Sequence, residues 1–329
     1  MESVAQPLKG IELGDVQIHR NLAMWPLLGG GGDGADYLLL GEAIGAGLVR
    51  VTEISEGGRV PEMKLTNTAD LPVLVLEGET LVGAKQNRTT NLSILAPART
   101  TIVIPVSCVE AGRWDAAAPE AEVSDHLHMA QARAAKVSSV SHSLYHCGQA
   151  FSDQGQVWQG IDEASIGLGV RSPTRSMSAI FEAHASRIGG FTAALQPVER
   201  QIGALFAVAG APVGFDLFAH EPTLRAMLPK LIRSYAVDAL REGEGNGVPA
   251  RAAAEAFVGA VEAAAVETFP AVGLGTTIRL VADGLVGGGL VHDDRLLHLV
   301  AFAVPGEPSA GGAGHRMASP STRRRRYRS

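Results

Sequence analysis

Leu205-Phe206-Ala207-Val208-Ala209-Gly210-Ala211-Pro212-Val213-Gly214-Phe215-Asp216-Leu217-Phe218 reads as a β-hairpin, with two apolar arms joined through a turn at Ala209 to Pro212. Apolar residues on both faces of the arms predict burial on both sides. Helices are expected before and after it. Met177, Ile180, Phe181, His184 and Ile188 fall at i, i+3, i+4, i+7 and i+11, the spacing of one helical face. Beyond the hairpin, Pro222 suits a first helical turn, and Leu224, Met227, Leu228, Leu231, Ile232, Tyr235 and Ala239 form a second stripe that Pro229 should kink.

Further out the pattern is strands on both sides. Up to about Arg113, β-branched runs (Val49 to Ile54, Val60 to Asn67, Val73 to Leu76, Thr101 to Ile104) are separated by Gly, Pro, Asn and Asp. From Ser124 the period becomes helical. After an Ala-rich helix opened by Pro249, Thr276 to Ala282, Gly284 to Val291 and Leu296 to Val304 predict a three-strand meander. The fold class is therefore α+β: a strand-rich N-terminal half, then helices with a β-hairpin and a C-terminal meander. Residues 1–304 are expected to form a single domain, with a strand-rich lobe over about 1–118 and a helix-rich lobe over about 119–304. Residues 305–329 lack periodicity and are expected to be a disordered basic tail.

The formal charge of −6 hides a division. Val304 to Ser329 carry six arginines against Glu307 alone, a local +5, which leaves −11 for the rest of a chain that totals −6. An acidic body excludes a uniformly basic nucleic-acid-binding surface, so nucleic acid is expected to meet only the tail, and weakly. With 46% apolar and 19% charged residues the chain is globular. Its longest apolar stretch, Ile202 to Phe215, has 14 residues and contains Pro212, short of the roughly 18–20 that span a bilayer. Met1-Glu2-Ser3-Val4 has no signal-peptide character, and two cysteines make no disulfide framework; the expected compartment is the cytoplasm. Oligomeric state is not legible.

The densest polar stretch is Leu76-Glu77-Gly78-Glu79-Thr80-Leu81-Val82-Gly83-Ala84-Lys85-Gln86-Asn87-Arg88-Thr89-Thr90-Asn91. If Val73 to Glu79 is one strand, Glu77 and Glu79 point to the same face, while Lys85 and Asn87 share a face opposite Gln86 and Arg88. Two carboxylates with separated pKa values can divide acid and base roles, and Glu77 and Glu79 are the catalytic candidates. The alternative is an exposed hairpin of solvated charge pairs, each worth about 0.2–1 kcal/mol.

Glu77-Gly78-Glu79, Gly83-Ala84-Lys85-Gln86-Asn87-Arg88, and Ile104-Pro105-Val106-Ser107-Cys108-Val109-Glu110-Ala111-Gly112-Arg113-Trp114 resemble the signature of the ARG and rhodanese-phosphatase-superfamily-associated protein domain, the ARPP family. The resemblance continues through Ser152 to Trp158 and Gly214 to Phe218. It implies co-occurrence with ADP-ribosylglycohydrolase-like and phosphatase-like proteins, and hence NAD- or ADP-ribose-linked metabolism. No catalytic residues come with it.

On residue chemistry, a phosphorylated or nucleotide-derived ligand is expected to meet Lys85, Gln86, Asn87, Arg88, Glu110, Arg113 and Trp114: cations for anionic groups, amides for orientation, an indole for a base. The rival is a non-catalytic scaffold whose polar hairpin meets a protein partner. Cys108 is read as a small core residue. His126 and His128, and His142 and His146 beside Cys147, lack the remaining elements of a metal site, so none is expected. Gly29, Gly31 and Gly34 match G-x-G-x-x-G without its strand and helix context. No cofactor is named by these residues.

Overall fold

The computed structural model describes residues 8–30, 34–55, 57–115, 118–243 and 250–304. The basic tail, Pro249 and the centre of the glycine run lie outside them. In chain order come β1 (Glu12–Leu13), β2 (Gln17–His19), β3 (Leu22–Leu28), β4 (Leu38–Leu39), α1 (Leu40–Gly45), β5 (Val49–Thr52), β6 (Glu62–Asn67), β7 (Val73–Val75), β8 (Glu79–Gly83), β9 (Arg88–Thr90), β10 (Ile94–Ala96), β11 (Thr100–Cys108) and β12 (Glu120–Leu127). Then follow α2 (Ala130–Cys147), α3 (Gln154–Gly167), α4 (Ser178–Ala183), α5 (Ala185–Ala194), β13 (Gln201–Val208), β14 (Ala211–Phe218), α6 (Glu221–Glu242), α7 (Arg251–Ala263), β15 (Ala265–Pro270), β16 (Thr276–Ala282), β17 (Leu285–His292) and β18 (Arg295–Ala303). The fold is α+β. No helix among the described residues is long and apolar enough to cross a membrane.

The hairpin β13–β14 sits inside an antiparallel sheet ordered β1-β3-β13-β14-β18-β17-β16-β15, with β2 paired to β3. Its apolar residues serve two cores. Leu205, Ala207, Phe215 and Leu217 pack with Ala254 and Val261 of α7, while Ala204, Phe206 and Val208 pack with Leu228, Leu231 and Tyr235 of α6. Helices on both faces explain the unbroken apolar runs.

A second layer is a closed antiparallel barrel, β11-β6-β5-β12-β8-β9. Alternation in β6 shows why it closes: Met63 and Leu65 are buried with Val49, Val51, Leu81, Ile104 and Val106, whereas Glu62, Lys64 and Thr66 keep partial exposure. A small sheet, β10-β7-β4, adjoins it. Helix α2 runs between the barrel and the large sheet, with contacts to α3, α6, β14, β17 and β18.

Three local expectations are corrected. The helical pattern expected from Ser124 starts only at Ala130, because β12 carries the barrel on to Leu127. The strand from Val73 stops at Val75, because Gly78 has φ +86 and turns the chain before β8. A Cβ there would also lie 2.7 Å from Arg133 Nε, so the position requires glycine for conformation and for close approach. The helix expected over 177–188 breaks at His184 (φ −112) into α4 and α5, and His184 Nε2 lies 3.2 Å from the Leu168 carbonyl.

On α6, Asp238 accepts the Gln131 N–H at 2.7 Å, and Arg241 stands 3.6 Å away. Burial pushes its carboxyl from 3.8 up to about 6. A raised folded value favours the protonated form, so the stability linked to it is complete below about pH 4 and is lost as pH rises through about 6. Asp238→Asn is expected to gain about 1–3 kcal/mol over the parent at pH 8, with the gain fading by pH 4 in urea unfolding. An equal offset at both pH values would clear the carboxyl as the cause.

Candidate functional site

The polar stretch after β7 is divided among three environments. Glu77 and Glu79, separated by the Gly78 turn, close the joint between barrel and helices rather than lining one strand face. Glu77 lies 3.0 Å from Arg133 and 2.7 Å from Lys136, both on α2 and both buried. Burial alone would raise its carboxyl, but Lys136 and Arg133 hold it below its ordinary 4.5. Glu79 accepts the Leu76 N–H at 3.0 Å and pairs with Lys230 of α6 at 3.2 Å.

Arg133 continues the network to Asp216 with contacts of 2.7 and 3.3 Å. Asp216 also accepts from Tyr235 and stands 3.3 Å from His298 Nε2, while His298 Nδ1 lies 2.7 Å from the Ser93 hydroxyl. Ser93, His298 and Asp216 thus follow the order of a hydrolase triad. Their placement is structural instead. Ser93 is 6% exposed, the other two are fully buried, and Asp216 is committed to Arg133.

Asn87, Glu110 and Arg113 form the second environment, a clamp between β8, β9 and the end of β11. Arg113 donates Nε to Glu110 at 2.9 Å, Nη1 to the Ala84 and Asp115 carbonyls at 2.8 and 2.9 Å, and Nη2 to the Gly83 carbonyl and Asn87 Oδ1 at 3.2 and 3.0 Å. All five N–H groups are engaged within the protein. Glu110 also accepts from the Asn87 N–H at 3.2 Å and the Thr174 hydroxyl at 2.8 Å. Burial raises its carboxyl, and Arg113 and Thr174 more than reverse that. Gly112 donates its N–H to the Thr174 carbonyl at 2.8 Å, and a Cβ on it would meet Thr174 Cα at 2.9 Å. The Glu-x-Gly-Arg run therefore fastens the loop after α3 to the barrel.

Arg88, Lys85 and Trp114 form the third. Arg88 points inward beside Leu81 at the end of the barrel and donates Nε to the Val60 carbonyl at 3.1 Å, with Glu53 4.0 Å away. Arg88 and Lys85 approach the Trp114 ring at 5.6 and 5.7 Å. Gln86 is buried nearby in sequence, its Oε1 unpartnered among the described residues. Cys108 is fully buried, and burial raises its thiol; it is a core residue.

One cleft, of about 610 Å³, touches this arrangement. Asn87 and Glu110 form one wall, and Arg171, Ser178, Phe181 and Arg233 the others. Arg171 is exposed and makes no hydrogen bond or ion pair among the described residues, while Ser178 Oγ is buried without a partner. Arg233 pairs at 3.2 Å with Asp125, which is exposed. His126 stacks on Phe181 at 3.7 Å, and burial pushes its imidazole down to about 4, so it is neutral at pH 7.

A family model described as the ARG and Rhodanese-Phosphatase-superfamily-associated Protein domain matches residues 10–302. The chain belongs to that family. No curated protein matches it, and no solved structure does.

The motif stretches of this ARPP domain meet in space. Glu77 and Asp216 are joined through Arg133, and Gln154 of the Ser152 to Trp158 stretch brackets Cys108, accepting its N–H and donating to its carbonyl at 2.8 Å each. Asn91, Ser107 and Ser152 are linked by hydroxyl hydrogen bonds. Of the residues expected at a site, Asn87 and Glu110 line the cleft, and Arg171 and Arg233, which were not expected there, line it as well. A signal existed for Arg171, in the Gly169 to Ser176 loop of Ser, Thr, Arg and Pro residues. For Arg133 the signal was a cation within the apolar stripe Ala130, Ala134, Val137, Val140, which demands a buried acid.

Proposed function

We propose that the cleft binds a phosphorylated small molecule, nucleotide-derived in the sense the resemblance implies. The observation that carries this reading is the meeting, in one cleft, of the unengaged Arg171 guanidinium, Arg233 and the unpartnered Ser178 hydroxyl. Two arginines supply forked donors for phosphate oxygens, and the volume lies within the range of small-molecule sites. The clamp fixes the wall opposite them. Because the body outside the tail is acidic, an anion is drawn in by these local cations rather than by a long-range field. The polar hairpin offers a protein partner little: no residue from Glu77 to Ile94 is exposed.

Inorganic phosphate, AMP and ADP-ribose are the probes. ADP-ribose is expected to raise Tm by a few degrees at saturating concentration, and Arg171→Ala with Arg233→Ala is expected to abolish that rise with little change in the ligand-free Tm. Equal shifts in parent and double variant would move the ligand elsewhere, and no shift with any probe would end the reading.

A further inference from the structure

Arg279 lies on β16, the second strand from the β15 edge of the large sheet, on the face turned toward α2. It is 2% exposed, and its Nε and Nη2 have no hydrogen-bond partner among the described residues. Thr277, two residues earlier and therefore on the same strand face, is also 2% exposed with an unpartnered hydroxyl. The guanidinium is admitted by the Gly287-Gly288-Gly289 run of β17: a Cβ on Gly288 would fall 2.1 Å from Arg279 Nη1. Three buried donors thus share one strand face.

Charge makes the shortage sharper. Arg133, Lys136 and Arg279 are buried cations, and Glu77 and Asp216 are the buried carboxylates that face them. Glu77 is taken by Arg133 and Lys136, and Asp216 by Arg133. Glu79 is taken by Lys230. Lys136 and Arg279 repel each other. One positive charge remains in excess without counting His298, and an arginine does not relieve it by deprotonating at neutral pH. Glu267 stands opposite Arg279 in the β15–β16 register, but it is half-buried, forms no ion pair with Arg279 and hydrogen-bonds Tyr145.

We infer that a small inorganic anion of chloride size is bound in the core beside Arg279, held by its Nε and Nη2, by the Thr277 hydroxyl and by the Lys136 ammonium. The site is separate from the cleft and independent of the function proposed for it. It compensates the third cation and ties β16 to α2. Its occupancy links the stability of the barrel–sheet joint to the surrounding halide concentration.

Crystals of the full chain grown in bromide test it directly. An anomalous peak is expected within about 3.5 Å of Arg279 Nε or Nη2. In solution, chloride exchanged for gluconate at constant ionic strength is expected to raise Tm by about 2–4 °C per tenfold increase above its dissociation constant, and Arg279→Met to remove that dependence. Phosphate serves as the control for the cleft: a shift that survives in Arg279→Met belongs there and not here. The inference is overturned if bromide is missing beside Arg279, if water or the Glu267 carboxylate satisfies those nitrogens instead, or if Tm does not respond to chloride in the unmutated chain.

Discussion

Asp216→Ala is expected to lower the unfolding free energy by about 3–5 kcal/mol, the cost of stranding a buried cation. The carboxylate is fully buried and accepts from Arg133, Tyr235 and His298. Removing it leaves the Arg133 guanidinium, itself fully buried, with Glu77 as its remaining carboxylate and a cavity on one side. Removing both ends together has a smaller effect. Arg133→Met with Asp216→Leu replaces the pair by apolar groups of similar volume and is expected to be less destabilised than either Asp216→Ala or Arg133→Ala, because no charge is stranded. Urea unfolding of the parent and these three variants ranks them. An Asp216→Ala loss below about 1 kcal/mol would mean that water already serves Arg133. Acid gives an independent check. Burial raises the Asp216 and Glu77 carboxyls, but their cationic partners hold both below the ordinary 3.8 and 4.5. Their contribution is therefore full above those values and is lost as pH falls through the lower folded ones, and Asp216→Ala should flatten that acid limb.

The importance of Asp216 shows what local sequence conveys and what it leaves out. Its hairpin is legible because apolar runs around a turn can form little else, and α6 and the meander follow from periods of 3.6 and 2. The pairing of β3 with β13, which places Trp25 beside Leu205, joins residues too far apart for any periodicity to record. Barrel closure is hidden for the same reason. At the site, strand alternation puts Glu77 and Glu79 on one face, and Gly78 breaks that alternation by adopting a positive φ. Residue type predicted that Asn87, Glu110 and Arg113 belong together. It did not show that Arg113 spends all of its donors on the protein, since a guanidinium looks the same in sequence whether it faces a phosphate or five internal oxygens.

Arg113→Lys separates those two roles. A lysine keeps the positive charge but presents three donors from one point, so it cannot reach Glu110, Asn87 and the carbonyls of Gly83, Ala84 and Asp115 together. The expected result is a loss of about 2–4 kcal/mol in the ligand-free protein, close to that of Arg113→Ala. The Glu110 carboxylate and the strand-end carbonyls then need water or new partners, and the loop that carries Thr174 loosens at its contact with Gly112. Binding in the cleft should weaken as a consequence, through the wall that Asn87 and Glu110 form. Were Arg113 instead a direct grip on an anion, the lysine variant would keep its ligand-free stability and lose affinity alone. Urea unfolding without ligand distinguishes the two, because a clamp contributes to stability before any ligand arrives, whereas a grip leaves the empty protein unchanged.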